Sequence, residues 1–402
     1  MDGVTDRSVT LTEDTLRAIQ AQLRELELDG WLLYDFQGTN PISGGLLGLP
    51  ALTRRYFVLI PVAGRPIALT HMIEQQPWRG WIGENRVYLG WRSLERELAR
   101  LLGDRQRIAL EHSPESAVPY LDRVPAGVLE LIARSGVEVH SSGELVSAVY
   151  SRWGKAGEES HHRAARVLRE TAQGAFDRIG AELRHGKPPT EWGVRAWIVE
   201  TLVAGGLGTG ADAIVATNAN AANPHYAPGP ENHASIRAGD LILIDLWGKE
   251  NEGAIYADQT WMAYVGDSVP ARIEMIWSAV RDARDAAVDF LRARFTAGEP
   301  VSGYEVDDVA RRLIAGRGFG DAFIHRTGHS IDRDLHGSGP NIDNLESRDP
   351  RRLIPGIGFS IEPGVYLPGE IGIRSEIDVH MTTDGPRVTT PEPQSSIYLI
   401  RA

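Results

Sequence analysis

The stretch LILIDLWGKENEGAIYADQTWMAYV, residues 241–265, sets two runs of branched, aliphatic and aromatic residues on either side of a polar, glycine-containing connection. Runs of this length bounded by turn residues read as the two strands of a hairpin. Each run carries a carboxylate where an apolar residue is expected: Asp245 in LILIDLW and Asp258 in IYADQTW. A lone aspartate in a buried strand is costly unless it is paired or coordinated. Two of them in one core demand a cation.

Outward from this hairpin, DAIVAT reads as a further strand of the same block, and ARIEMIWSAVRDARDAAVDFLRARF and GYEVDDVARRLIAGR read as helices. Then come FIHRTGHSID, GIGFSIEPGVY and GIRSEIDVHMT, all strand-rich. The last two hold Glu362 and Glu376 among apolar neighbours. If 372–379 is one strand, its period of two puts Arg374, Glu376 and Asp378 on one face and Ile373 and Ile377 on the other. Four carboxylates gathered in a low-dielectric site repel one another and take up protons unless cations compensate them. Their combined charge matches two divalent ions better than one. His329, in HRTGHSIDRDLH, is the imidazole assigned to the ligand shell, since neutral imidazole suits borderline ions. His325 and His336 share that segment, in a geometry the sequence leaves open. Asp332, Asp334 and Asp378 read as turn or solvent-facing groups, His161, His162 and His233 as surface histidines, and Trp247 and Trp261 as packing residues.

Before this block, TEDTLRAIQAQLRELE (12–27) has helical spacing with Thr12 as its cap, GWLLYDF and RRYFVLIPV read as strands, and VAGRPIAL returns as a hairpin. RQRIALE, VPAGVLELIARSG and VEVHS add a strand, a helix and a strand, completing a compact mixed α/β unit. From about 155 the texture changes to a long helical segment. The chain therefore divides into domains 1–152 and 153–402, consistent with a length of 402 residues, which exceeds what one core usually supports.

The absence of cysteine excludes disulfides, thiol catalysis and thiolate ligands, leaving imidazole and oxygen donors suited to harder ions. A net charge of −12 with scattered basic residues argues against nucleic acid as a partner. No apolar run resembles a membrane span, so no membrane partner is expected. The opening MDGVTDRSVTLTEDTL lacks the basic start and apolar core of a secretory signal, so a cytoplasmic location is expected.

Taken in order, Asp245, Asp258-Gln259-Thr260, His329, Glu362-Pro363-Gly364 and Arg374-Ser375-Glu376 resemble the motifs of the pita-bread metallopeptidase family, in its proline-specific branch of prolidases and Xaa-Pro aminopeptidases. The resemblance covers most of 155–402, and the N-terminal unit is similar to the creatinase-type domain of that branch. It implies an α/β two-domain protein, with a creatinase-type mixed α/β N-terminal domain and a pita-bread α+β catalytic domain. It also implies hydrolysis of the Xaa-Pro bond, first of all in dipeptides. The alternatives are an Xaa-Pro aminopeptidase acting on longer peptides and a creatinase-like amidinohydrolase.

By the same resemblance Asp245 would ligate one metal, Asp258 and Glu376 would bridge the two, and His329 and Glu362 would complete the other ion's shell. Thr260 would orient the bridging acid. His225, in NPHYAPG, His336, Arg374 and the proton relay Glu362 would be catalytic, and His325 and Tyr366 would bind substrate. Two divalent ions are implied, with Mn2+ expected and Co2+ or Zn2+ as alternatives, together with a small peptide substrate and a homodimer. The chain departs from the family pattern in a longer connection between Asp245 and Asp258, in Trp261 where arginine often stands, in Ser330 after His329, and in Gly-Ser-Gly-Pro after His336.

Overall fold

The structure, a computed structural model, describes residues 11–401. It divides into two compact units, Met1–Tyr150 and Ser151–Ala402. In the first unit, helix α1 (Glu13–Glu25) begins where the Thr12 hydroxyl accepts the Thr15 N–H at 3.1 Å, and it buries Leu16, Ile19 and Leu23. Among the described residues, strands β1 (Gly30–Asp35), β2 (Tyr56–Pro61), β3 (Ile67–His71), β4 (Glu84–Tyr88), β5 (Arg107–Leu110) and β6 (Glu138–Ser141) form a sheet in the order β4-β3-β2-β1-β5-β6. Its central strands are buried along their whole length because helices cover both faces. Trp31, Leu33, Val58 and Ile60 pack with α1 and with α2 (Pro41–Leu47). Leu32, Tyr34, Phe57 and Leu59 face α3 (Trp91–Leu102) and α4 (Ala126–Ala133). A single short turn, α5 (Gly143–Leu145), follows β6.

One of the buried carboxylates of this unit, Glu111, is fully occupied. Glu111 accepts hydrogen bonds from Trp31 Nε1 at 2.6 Å, Asn40 Nδ2 at 2.8 Å and the Ser142 hydroxyl at 3.1 Å. Such a group is a structural tie, and it sets the standard against which the acids of the second unit are judged.

The second unit carries helices α6 (Lys155–Arg184), α7 (Glu191–Ala204), α8 (Ala271–Thr296) and α9 (Gly303–Gly316). Its first sheet joins β7 (Thr209–Thr217), β8 (Leu241–Lys249), β9 (Ala257–Val265) and β16 (Tyr398–Ile400) in the order β16-β9-β8-β7. A second sheet, in the order β10-β11-β14-β15, holds β10 (Ser330–Ile331), β11 (Gly358–Ile361), β14 (Ile377–Thr382) and β15 (Gly385–Val388), and β12 (Gly364–Leu367) pairs with β13 (Ile371–Arg374) as a ribbon. Helices α6 and α7 bury Ile242, Ile244 and Leu246 of β8. Helix α8 packs on Leu243 and Ile373 at its start and on Phe359 and Ile361 toward its end. Among the described residues no helix is long and apolar enough to cross a membrane.

Two expectations need correction here. Residues 372–379 are two strands: β13 pairs with β12, β14 pairs with β11, and the chain steps between them at Ser375 and Glu376. Alternation survives the step, because Ile373, Ile377 and Val379 all enter apolar cores. His161 is fully buried, since the period of α6 aligns it with Ala164, Ala165 and Leu168. Its Nδ1 donates to the Tyr256 carbonyl at 2.6 Å and its Nε2 meets the Thr389 hydroxyl at 2.7 Å. Burial pushes its pKa down to about 3, so the ring is neutral.

Trp153 wedges against β11, its Nε1 donating to the Ile331 carbonyl at 2.7 Å. The approach is possible because residue 358 is glycine: a Cβ there would lie 1.9 Å from Trp153 Cζ2. Gly358→Ala should therefore destabilise the protein by about 1–3 kcal/mol in denaturant unfolding, the usual cost of overpacking. An unchanged midpoint would show that Trp153 is not wedged there.

Candidate metal centre

The register of β8 and β9 sets Asp245 opposite Thr260 and Trp247 opposite Asp258. Residues directly opposite share a face, so these four side chains stand together while Ile244 and Leu246 point to the helices. The second sheet brings the remaining groups to that face. Glu362 follows the end of β11, His329 precedes β10, and Glu376 occupies the step between β13 and β14. Backbone bonds lace these segments: Glu362 N–H donates to the Thr327 carbonyl at 2.7 Å and Ser360 N–H to the His329 carbonyl at 2.9 Å. Gly328 allows the close approach, since a Cβ there would sit 2.0 Å from the Ser360 carbonyl oxygen.

Asp258, His329 and Glu376 each offer a ligand atom within 4.8 Å of the others, and all three are buried. His329 Nε2 lies 3.5 Å from both Asp258 Oδ2 and Glu362 Oε1. Arg374 forms an ion pair with Asp245, and its Nε donates to the Thr260 hydroxyl at 2.8 Å. That hydroxyl in turn donates to Glu376 Oε2 at 2.7 Å. One guanidinium thus braces acids on two sheets.

Whether these groups suit a cation is decided by what they lack. Asp245 Oδ1 and Asp258 Oδ1 are buried with no hydrogen-bond partner among the described residues, unlike the saturated Glu111. Burial pushes the pKa of Asp245 up to about 6 and that of Asp258 up to about 7. Glu362 is also raised by burial, and Glu376 is held well above the carboxylate range by burial and by repulsion from Asp258, Glu362 and Asp245. Burial lowers the pKa of His329, which favours the neutral, ligating form. Carboxylates that resist ionising alone, with unpartnered oxygens beside a neutral imidazole, fit divalent cations.

These groups open onto a cavity of about 270 Å3 whose lining also includes His225, His325 and His336. The His336 ring meets that of His329 edge-on, with centroids 4.5 Å apart. His325 Nδ1 donates to the Arg326 carbonyl at 2.7 Å, so its Nε2 accepts from the Tyr366 hydroxyl at 2.8 Å. Burial lowers the His325 pKa to about 3. Tyr366 itself is 2% exposed and, like Thr260, stands behind the cavity lining rather than in it.

Sequence reasoning missed several neighbours. Trp247 lines the cavity, as do Ile214, Pro224 and Leu335, with Arg326 and Glu346 adding charge. Asp378, read as a turn or solvent-facing group, is instead a fully buried residue of β14, and its Oδ2 accepts the Asp258 N–H at 3.0 Å. Asp332 is buried too, accepting from the Asp334 N–H at 2.8 Å and the Ser338 N–H at 3.0 Å. Asp334 and His233 are exposed, His162 is half-buried, and Trp261 packs in the core beneath α6. Strand alternation carried the signal for Trp247, two residues from Asp245, and for Asp378, two from Glu376.

Residues 159–383 match Metallopeptidase family M24. The chain is 32% identical over 216 residues to a probable dipeptidase PepE of Mycobacterium tuberculosis, covering 53% of this chain and 54% of that one. It is 36% identical over 181 residues to an Xaa-Pro dipeptidase of Lactobacillus delbrueckii subsp. lactis, covering 45% of each. The chain thus spans about half the length of the curated relatives it matches. Among solved structures it resembles dipeptidase PepE from Mycobacterium ulcerans at a TM-score of 0.75 and 24% identity, over 97% of this chain and 98% of that one. An Xaa-Pro dipeptidase from Bacillus anthracis aligns at a TM-score of 0.66 and 21% identity, over 96% and 99%. The fold is the two-domain α/β architecture of that family, a creatinase-like N-terminal domain followed by the pita-bread unit.

The raised acids fix a pH dependence. In an unfolded chain aspartate ionises near pH ~4, whereas Asp245 and Asp258 wait until about 6 and about 7 in the folded, metal-free chain. Over that window the folded state holds protons the unfolded state has lost. The stability these groups contribute is thus fully present below the unfolded value and is lost as pH rises through the folded ones. A divalent cation relieves the penalty in competition with protons. Added Mn2+ should therefore raise the denaturant midpoint more at pH ~7.5 than at pH ~5.5; equal gains at both would refute the assignment.

Proposed function

Because the chain belongs to metallopeptidase family M24, we propose that it hydrolyses the peptide bond preceding proline, with Xaa-Pro dipeptides as its substrates and two divalent cations as its cofactors. The observation that carries this reading is the buried group of Asp258, His329 and Glu376, whose ligand atoms lie together, with Asp245 and Glu362 lining the same cavity and two carboxylate oxygens left unpartnered among the described residues. Those five side chains would hold the cations, with Mn2+ preferred to Co2+ or Zn2+. What divalent cations supply at such a site is an acidified water and a polarised scissile carbonyl.

The chain's own groups account for the remaining steps. Glu362 faces the cavity with a raised carboxyl pKa, which suits it to take a proton from the attacking water and deliver it to the departing nitrogen. His225 and His336 line the same cavity and serve as donors to the carbonyl oxygen as charge develops on it. A proline nitrogen has no N–H and its ring is rigid, so an apolar slot suits it better than a polar one. Ile214, Pro224, Trp247 and Leu335 supply that surface. Arg374, engaged with Asp245 and Thr260, braces the ligands and leaves the substrate to the other groups. Tyr366 acts from behind by fixing the His325 ring.

The dipeptide reading is favoured by the names of the two curated relatives above. A putative Xaa-Pro aminopeptidase of Mycoplasma pneumoniae, 33% identical over 192 residues, supports the alternative of longer peptides. Metal-loaded protein should cleave a free Xaa-Pro dipeptide at least about tenfold faster than an Xaa-Pro tripeptide, a difference of about 1.4 kcal/mol in the barrier. Glu362→Gln, checked for bound metal, should lower kcat by about a hundredfold or more. Near-normal turnover by that variant would remove Glu362 from proton transfer, and faster cleavage of the tripeptide would replace the dipeptide reading with the aminopeptidase one.

A further inference from the structure

We propose that Lys249 and Asp332 are positioning residues that clamp the loop carrying His336 against the hairpin carrying Asp245 and Asp258. The proposal rests on the role given to His336 above and adds the means by which its ring is held. Residues 332–338 lie outside the regular strands, since β10 ends at Ile331. His336 nevertheless lines the cavity with its ring set against that of His329. An irregular segment keeps an exposed ring in such a place only if its backbone is tied down.

The ties come from both directions. Lys249 ends β8 and is 4% exposed, yet its ammonium is spent on backbone: Nζ donates to the Arg333 carbonyl at 2.6 Å and to the Glu252 carbonyl at 3.4 Å. It also stands over the Tyr256 ring, 4.7 Å from the centroid, while Glu252 Oε2, 4.0 Å away, belongs to a side chain 80% exposed. Burying a lysine to hold backbone carbonyls is an expensive use of a charge. Across the same connection, the Tyr256 N–H donates to the Asp332 carbonyl at 3.1 Å. The Asp332 carboxylate then closes the loop on itself, with Oδ1 accepting from Asp334 N–H at 2.8 Å and Oδ2 from Ser338 N–H at 3.0 Å. Gly337 N–H donates to the Ser330 carbonyl at 2.7 Å, and a Cβ on Gly337 would lie 2.7 Å from Asp332 Oδ2.

His336 therefore sits between ties on either side. Lys249 and Asp245 are separated by an even number of positions on β8, with Trp247 midway, so one strand face carries a proposed ligand, a cavity wall and the clamp. The lengthened connection after Asp245 supplies Lys249, Glu252 and Tyr256 to this arrangement.

The test uses the full-length, metal-loaded protein. Lys249→Met should lower kcat for an Xaa-Pro dipeptide by about ten- to a hundredfold with bound metal unchanged, the size of effect seen when support behind a reacting group is removed. In a His336→Ala background the same change should cost no more than about twofold, because residues acting as one unit are not additive. Amide hydrogen exchange over 333–337 should rise in Lys249→Met, a readout independent of substrate. Unchanged exchange, or a loss that adds in full to that of His336→Ala, overturns the clamp. Faster exchange in a protein that cleaves no Xaa-Pro peptide supports the clamp and overturns the substrate reading. Should Lys249→Met fail to fold, Asp332→Asn carries the same expectations and the same overturning outcomes.

Discussion

Four carboxylates gathered around one cavity create a charge that the protein alone does not neutralise, and the architecture of the second unit follows from that constraint. Arg374 offsets Asp245, yet burial still lifts the pKa of Asp245, Asp258, Glu362 and Glu376. A fold driven only by stability would replace such a cluster with packed apolar groups. Here the cluster is instead walled in. Helices α6 and α7 seal one face of β8, and α8 spans the cores beneath both the ribbon and the second sheet. The acids are thereby held where water competes poorly for a cation and where their own repulsion favours one.

Rigid support extends outward from the ligands. Thr260 passes a hydrogen bond from Arg374 to Glu376, Asp378 holds the backbone of Asp258, and Ser360 Oγ accepts the His329 N–H at 3.0 Å. A similar logic fixes the imidazoles. His325 is locked between a carbonyl and a tyrosine hydroxyl, and His161 between a carbonyl and a threonine hydroxyl. Each ring is assigned one tautomer by a neighbour that can only accept.

Much of this was legible in the sequence because the signal was a violation. Asp245 and Asp258 stand out as acids inside apolar runs, and alternation alone places Arg374, Glu376 and Asp378 together even though the chain changes sheets at Ser375. Asp378 was misjudged for a physical reason: its partner is the backbone N–H of Asp258, far away in sequence, and no side-chain pattern announces such a bond. His161 was misjudged because adjacent histidines look alike until the phase of the long helix is known. In the first unit, α2 was hidden by the glycines of PISGGLL and β4 by the largely exposed ENRVY.

The central claim is that the buried acids are a site for two divalent cations, and counting bound metal tests it most directly. After Mn2+ loading and exhaustive dialysis, elemental analysis should find two ions per chain, since even with Arg374 counted the four carboxylates carry more charge than one divalent ion neutralises, and Asp258→Asn and Glu376→Gln should each reduce that number. A chain that retains no ion, or one whose bound metal is unaffected by both substitutions, would contradict the account.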